Sequence, residues 1–420
     1  MINLHEMTIF VYNLALLPVI FSSVFFLFLA IISLFVDDKK SVSNPIRIKS
    51  LGGMPFVSVQ IPVYNDDCAV KCLEKCMSFD YPKKMYEIII VDDSTDKNVS
   101  VLLRGYADRN RGFIKYIHRD NRDGFKPGAL QNAMKITKGK IIVLFDSDWR
   151  PPKNFLKDII KPFLEDDNVA IVQAKQGIRN LRHNLISRFA GYLLMIFHSG
   201  MMPIYKKTNA VFFCGTGGAI RADILNDVGG WNVKSLTEDA DLSVKIIAAG
   251  YKTVYINLSV SSEVPHTFAG FVKQQMRWSY GLTRVFFDNI REILLSRKMS
   301  FSQRAMITYS SLGHVSAPLV LIMTIFGMLS WFTGEPQLFN WGDVIRIITI
   351  FLYTSGFLAI CILTLYREEK IRDFPNLLLC ALSVSFVLII FNSVAFFKAL
   401  LNMPLFWHRT PKSANRLVRN

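Results

Sequence analysis

Two carboxylates separated by one residue, Asp146 and Asp148, close the run Ile141-Ile142-Val143-Leu144-Phe145. The run is short, unbroken and rich in β-branched side chains, as a strand covered on both faces would be. Two acids at this spacing point to the same side of the chain. In an open α/β sheet, ligands bind beyond the carboxyl ends of the strands. A pair of hard oxygen donors there suits Mg²⁺ or Mn²⁺ holding a phosphate-bearing substrate. An acidic strand-to-loop turn would look the same locally, because Asp is a frequent turn residue.

Five further stretches carry related chemistry. Asp92-Asp93-Ser94-Thr95-Asp96 follows a second apolar run, and an acid there can accept hydrogen bonds from a base or ribose. Lys126, in Gly124-Phe125-Lys126-Pro127-Gly128, can neutralise a diphosphate, and Pro127 fits the first turn of a helix. In Leu236-Thr237-Glu238-Asp239, Thr237 fits a helix cap and Asp239 a general base for an acceptor hydroxyl. In Gln274-Gln275-Met276-Arg277-Trp278, the indole can stack on a sugar face while Arg277 meets phosphate. The glycines of Cys214-Gly215-Thr216-Gly217-Gly218 allow a ligand close to the backbone. No P-loop lysine accompanies them, which argues against a nucleoside triphosphatase. Each stretch has a plainer reading: a capped turn, a basic surface loop, acids favoured at a helix start, a membrane-surface helix, a tight turn.

Elements able to position these residues follow from the hydrophobic pattern. Strands are expected at 56–63, 86–91, 112–117, 141–146 and 168–173, with helices at 67–79 and from about 127. Such alternation predicts a doubly wound parallel α/β sheet. Cys68, Cys72 and Cys76 recur at helical spacing and read as packing on one helix face.

Hydrophobic residues make up 51% of the 420, and the excess lies at the two ends. Residues 8–36 carry no charge and are long enough to span a bilayer as an uncleaved anchor. Spans are also expected at 313–332 and 347–366. The tail residues Arg409, Lys412, Arg416 and Arg419 argue for an inside C-terminus, which makes 376–400 re-entrant or in-plane. Residues 181–207 read as an amphipathic helix on the membrane surface, with a buried helix as the alternative. The net charge of +16 fits anionic lipid rather than nucleic acid, because Lys39, Lys40, Arg47 and Lys49 flank the first span. The same cluster places the following domain in the cytoplasm.

Taken in order, Asp93, Asp146-Ser147-Asp148, Thr237-Glu238-Asp239 and Gln274-x-x-Arg277-Trp278 resemble the inverting family 2 glycosyltransferases, the group of cellulose, chitin and hyaluronan synthases. Val91 to Asp96, Glu263-Val264-Pro265 and Gln274 to Trp278 are most similar to the cellulose-synthase-like glucomannan synthases. The resemblance implies a GT-A (Rossmann-like) domain at about 50–290, after an anchor at 1–40 and before membrane and interface helices at 291–420. It implies Asp93, Lys126, Asp146 and Arg277 on the nucleotide-sugar donor and Asp148 on the metal. Asp239 would be the base, with Gly215, Thr237, Glu238, Gln274 and Trp278 towards the acceptor. The implied activity is a multi-pass cell-membrane enzyme building a β-linked polysaccharide from UDP-glucose or GDP-mannose. Transfer of a single sugar to a membrane lipid is the alternative, and association with further copies of the chain stays open. Phe406-Trp407-His408-Arg409-Thr410-Pro411-Lys412 resembles the synthases' gating loop. The chain ends soon after it, which leaves open whether a translocation channel is complete.

Overall fold

A computed structural model describes residues 3–35, 53–334 and 341–405. The basic cluster Lys39 to Lys49 and the tail from Phe406 onward lie outside the described residues.

Seven strands form one sheet in the order β3-β2-β1-β4-β6-β5-β7. They are β1 (Val57–Val63), β2 (Tyr86–Asp92), β3 (Ile114–His118), β4 (Ile141–Leu144), β5 (Val169–Ile178), β6 (Gly218–Arg221) and β7 (Lys252–Ser262). Every strand expected from the pattern is present. The sheet is mixed, however, and not wholly parallel. β6 runs antiparallel to both β4 and β5, with Leu144 opposite Gly218. Its four residues follow directly on the glycine-rich stretch, so the pattern reads as one long turn. The reversal matters for the site. The start of β6 lies where the parallel strands end, which brings Gly215-Thr216-Gly217 beside Asp146.

β4 explains the local logic. Ile141 and Val143 enter a core on one face, with Val59, Ile61, Phe145 and Phe155. Ile142 and Leu144 enter another on the opposite face, with Leu130, Ile171, Ile220 and Leu242. All four are buried, which fixes the strand's register and the place where it stops. The crossover elements are α2 (Ala69–Met77), α3 (Lys97–Arg109), α4 (Phe125–Met134), α5 (Phe155–Ile159) and α6 (Lys161–Glu165). Cys72 and Cys76 are buried on α2 as expected.

The remaining helices are α1 (Leu4–Leu34), α7 (Leu185–Met195), α8 (Met202–Thr208), α9 (Ala222–Asp227), α10 (Glu238–Ala248), α11 (Phe268–Asp288), α12 (Ile290–Leu295), α13 (Phe301–Leu312), α14 (Ser316–Thr333), α15 (Trp341–Thr354), α16 (Gly356–Arg367) and α17 (Phe374–Leu400). Four helical stretches among the described residues are long and apolar enough to cross a membrane, or five if the bent pair α15–α16 counts as one span. They include α1, α13 with α14, and α17. The expected re-entrant segment at 376–400 is instead one unbroken helix of 27 residues. Asn392 and Lys398 interrupt its composition but not its hydrogen bonding. The break falls earlier, where α15 and α16 meet at 59°.

Residues 185–208 also differ from expectation. They form α7, a π-helical turn (Ile196–Met201) and α8. Two thirds of the most apolar window (67%) is buried inside the protein. Phe189, Tyr192, Met195 and Met202 pack in a core that also holds Leu29, Phe271, Ile360 and Leu388. Apolar residues on one helix face satisfy a sheet and a helix bundle as well as they satisfy lipid, so periodicity could not separate the two environments.

Candidate active site

Parallel register sets one corner of the site. Asp92 of β2 pairs with His118 of β3, which brings the next residues, Asp93 and Arg119, together. Arg119 donates to both oxygens of Asp93, from Nε at 2.7 Å and Nη2 at 2.5 Å. It also donates to the carbonyls of Asp123 and Phe125, at 3.1 and 3.0 Å. Asp93 therefore anchors the loop that delivers Lys126, a partnership not visible in the sequence. Asp92 is wholly buried. Burial pushes its carboxyl up, but hydrogen bonds from Ser100, Ser94 and Tyr116 outweigh this and hold it below its usual range. Beside this loop the Arg122 guanidinium lies 3.4 Å from the Tyr64 ring centroid.

Lys126 is the hub of the site. Its Nζ donates to Asp146 Oδ1 at 2.7 Å and to the Gly215 carbonyl at 2.8 Å, and lies 3.9 Å from Glu238 Oε1. Burial alone would push the ammonium down. Asp146, Glu238 and Asp239 reverse this and raise it above the usual lysine value.

Asp146 and Asp148 separate in role as they leave β4. The Asp146 amide donates to Thr216 Oγ1 at 2.9 Å, and its side chain remains partly open. Asp148 is buried, and its Oδ2 accepts from the Glu263 amide at 3.0 Å. Arg179 Nη2 donates to the Asp148 carbonyl at 3.2 Å and to Glu263 Oε1 at 3.1 Å. Between the two acids, Ser147 Oγ donates to Asp66 Oδ2 at 2.5 Å. Asp66, Arg179, Thr216 and Glu263 thus brace this segment, which residue spacing alone did not reveal. Carboxylate oxygens such as theirs are the hard donors that Mg²⁺ and Mn²⁺ take.

The base end closes over the glycine-rich turn. Gly215 has φ +71°, and a Cβ there would stand 2.8 Å from Asp239 Oδ2. Gly217 has φ +62°, and a Cβ there would sit 2.1 Å from the Trp149 ring. Both glycines are therefore required sterically as well as by backbone conformation. Gly215→Ala is expected to displace Asp239 and lower activity by about tenfold or more, since a misplacement near 1 Å can cost up to ~10². Steady-state rates beside a thermal melt would check this, and a Gly215→Ala enzyme as fast as wild type would remove the steric argument.

Thr237 stands at the N-cap of α10 but makes no capping bond. Its side chain instead faces α11, where a Cβ on Gly281 would meet Thr237 Cγ2 at 2.4 Å. On α11, Gln274, Arg277 and Trp278 share a face through their three- and four-residue spacing. Arg277 Nη1 donates to the Leu236 carbonyl at 3.1 Å, which ties that face to the acids of α10. The structure thus brings Lys126, Asp146, Gly215, Glu238, Asp239 and Arg277 together. Asp93 lies one loop away, and Gln274 and Trp278 sit half-buried on the adjoining helix.

Burial pushes the Glu238 carboxyl up to about 7, and the charge of Asp239 adds to this, while Lys126 and Arg277 oppose it. Burial raises Asp239 as well, again against Lys126 and Arg277. The folded Glu238 therefore holds a proton that the unfolded chain releases near 4.5. Its contribution to stability is complete below 4.5 and is lost as pH rises through about 7. Glu238→Gln should flatten the pH dependence of stability between about pH 4.5 and 7. Thermal melts across that range would show it, and an unchanged slope would contradict it.

Residues 141–407 match the profile of glycosyl transferase family group 2. Glucomannan 4-beta-mannosyltransferase 2 of Arabidopsis thaliana is 33% identical over 285 residues, 65% of this chain and 53% of that protein. Probable glucomannan 4-beta-mannosyltransferase 7 of Oryza sativa subsp. japonica is 30% identical over 308 residues, 70% and 52% of the two chains. This chain spans about half the length of these curated relatives. Among solved structures, the mannosyltransferase PcManGT from Pyrobaculum calidifontis, in complex with GDP-Man and Mn2+, matches with a TM-score of 0.65. Its identity is 18%, the match covers 94% of this chain and 99% of that one, and the likeness is one of fold.

Proposed function

Because this chain belongs to glycosyl transferase family group 2 and is a glycosyltransferase of the GT-A fold, we propose that the cluster around Lys126 transfers a hexose from a nucleoside-diphosphate sugar to a growing β-linked glycan. The observation that carries this is the Lys126 ammonium, held at once by Asp146, the Gly215 carbonyl and the Glu238–Asp239 acids. A cation so placed offsets the charge that builds on a leaving diphosphate. Arg277 adds a second from α11, and Asp93 lies towards the nucleoside. Asp239 takes the proton from the acceptor hydroxyl, whose oxygen forms the new bond to the anomeric carbon. The bond to the diphosphate breaks on the opposite side, so the centre inverts and no sugar-enzyme bond forms. Gln274 and Trp278 hold the acceptor end, with Gly215, Thr237 and Glu238 shaping the space between. Asp148 and Asp146 would hold Mg²⁺ or Mn²⁺, and a divalent cation there supplies further charge neutralisation on the diphosphate.

GDP-mannose is the favoured donor, since the relatives named above are mannosyltransferases, and UDP-glucose is the competitor. We place the catalytic part, about 50–290, on the cytosolic side of a cell membrane, after an anchor at 1–40 and before helices at 291–420. The test is purified full-length protein with each labelled donor, with Mn²⁺, Mg²⁺ or EDTA, followed by sizing and organic extraction of the product. Polymer from GDP-mannose is expected, and label confined to a one-sugar lipid would favour the alternative acceptor. No transfer from either donor would overturn the reading.

A further inference from the structure

β5 and the residue that follows it send polar side chains to three different parts of the molecule. Gln173 Nε2 donates to the carbonyls of Thr216 and Gly217, at 3.1 and 3.3 Å, and its Oε1 accepts from the Cys214 amide at 2.8 Å. It therefore fixes the turn that lies on Lys126 and Asp239. Just beyond the strand, Arg179 braces Asp148 and Glu263. Between them, Lys175 leaves the sheet altogether, and its Nζ meets Glu368 Oε1 at 2.5 Å. Both side chains are 18% exposed. A bulge accompanies this departure. Ala174 pairs with Ile256, but Lys175 pairs with Ser259, so Asn257 and Leu258 are skipped in the ladder. Bulges bend a strand and re-aim its side chains.

Glu368 follows the last residue of α16, and that end is held firmly. Arg367 donates to Ser33 Oγ at 2.7 Å and to the Ser33 carbonyl at the end of α1. The π turn packs on α16 closely enough that a Cβ on Gly200 would stand 2.4 Å from Thr364 Oγ1. The acceptor helix belongs to the same bundle. On α11, Ser279 Oγ donates to the Asn392 carbonyl at 3.1 Å and Arg284 to the Ala399 carbonyl at 3.3 Å, both on α17. Asp93, Asp146 and Asp148 thus ride on strand ends of the sheet, and Gln274 and Trp278, with Arg277 beside them, on a helix of the bundle. Their relative placement decides whether the attacking oxygen lines up with the anomeric carbon.

We propose that Lys175 and Glu368 are a positioning pair that sets the sheet against the membrane-helix bundle and so aligns donor with acceptor. The proposal rests on the assignment of the donor to the Asp146–Asp148 end of the sheet and the acceptor to α11. Neither residue touches a reacting group. A simple brace would, on removal, lower donor hydrolysis and sugar transfer together. A positioning pair changes their ratio, because water finds its own way to the donor and a glycan does not.

The experiment uses full-length protein in lipid nanodiscs with GDP-mannose and UDP-glucose. Four forms are compared: wild type, Lys175→Met with Glu368→Gln, Lys175→Arg, and the exchange Lys175→Glu with Glu368→Lys. The neutral double variant avoids leaving one charge buried alone. It is expected to bind GDP and UDP as wild type does and to hydrolyse donor at a similar rate. Its transfer at saturating donor should fall by about tenfold or more, the scale of a misplacement near 1 Å. Lys175→Arg and the exchanged pair should restore most of the transfer. Wild-type transfer by the neutral variant, or an equal fall in hydrolysis and transfer, would overturn the pair's role alone. A wild type that neither binds the nucleotides nor turns over either donor would overturn the glycosyl-donor reading and the pair's role with it.

Discussion

Asp239→Asn is expected to slow sugar transfer by about 10²–10⁴-fold, the range of general-base catalysis, with donor affinity nearly unchanged. The substitution is nearly isosteric. The side-chain carbonyl of the variant can still accept from the Ala240 amide, as Asp239 Oδ1 does at 2.8 Å, so the start of α10 should persist. What disappears is the charge and the capacity to take a proton. A second consequence is specific to this site. Asp239 helps push the Glu238 carboxyl up, so Asp239→Asn should let Glu238 ionise at lower pH. Single-turnover transfer of labelled donor, with nucleotide binding by calorimetry, would measure both. Transfer above about a tenth of the wild-type rate would exclude Asp239 as the base.

Asp148→Asn should have an effect of similar size by another route. A metal ion on a transferring phosphoryl or glycosyl group is worth several kcal/mol, so its loss corresponds to roughly 10²–10³-fold in kcat/KM. The variant's amide oxygen can keep the bond from the Glu263 amide, and the Arg179 bond reaches the backbone, so the loop geometry should hold. Only the charge is removed. The diagnostic is the cation dependence and not the rate alone. The variant should need far more Mn²⁺ or Mg²⁺ for half-maximal activity, and its residual activity should respond little to EDTA. A metal titration identical to wild type would place the cation elsewhere.

Five of the seven strands, β1 to β5, were legible as short apolar runs. β6 and β7 were not: four residues after a glycine-rich turn carry too little pattern, and β7 mixes buried, half-buried and exposed positions without clean alternation. Asp146 and Asp148 stood out as a pair, and the 237–239 and 274–278 stretches by their order. Their supports did not. Arg119 lies 26 residues from Asp93, Arg179 31 from Asp148 and Gln173 41 from the Cys214 amide it accepts from. Only the parallel register and the antiparallel reversal bring these partners into contact. The apolar ends were legible as helices long and apolar enough to cross a membrane. Their breaks were misplaced, because composition marks where a helix meets polar groups and not where its hydrogen bonds stop.

The core that holds Phe189, Tyr192 and Phe271 also holds Leu29, Ile360 and Leu388. Among the described residues, one continuous core thus joins the helices beside the candidate site to the apolar helices of the two ends. A soluble fragment cut at residues 53–290 would lay bare the underside of α7, α8 and α11 to water, an apolar patch of the kind that drives aggregation. Such a fragment is expected to stay in solution only with detergent, whereas the full chain keeps that face covered by its own helices.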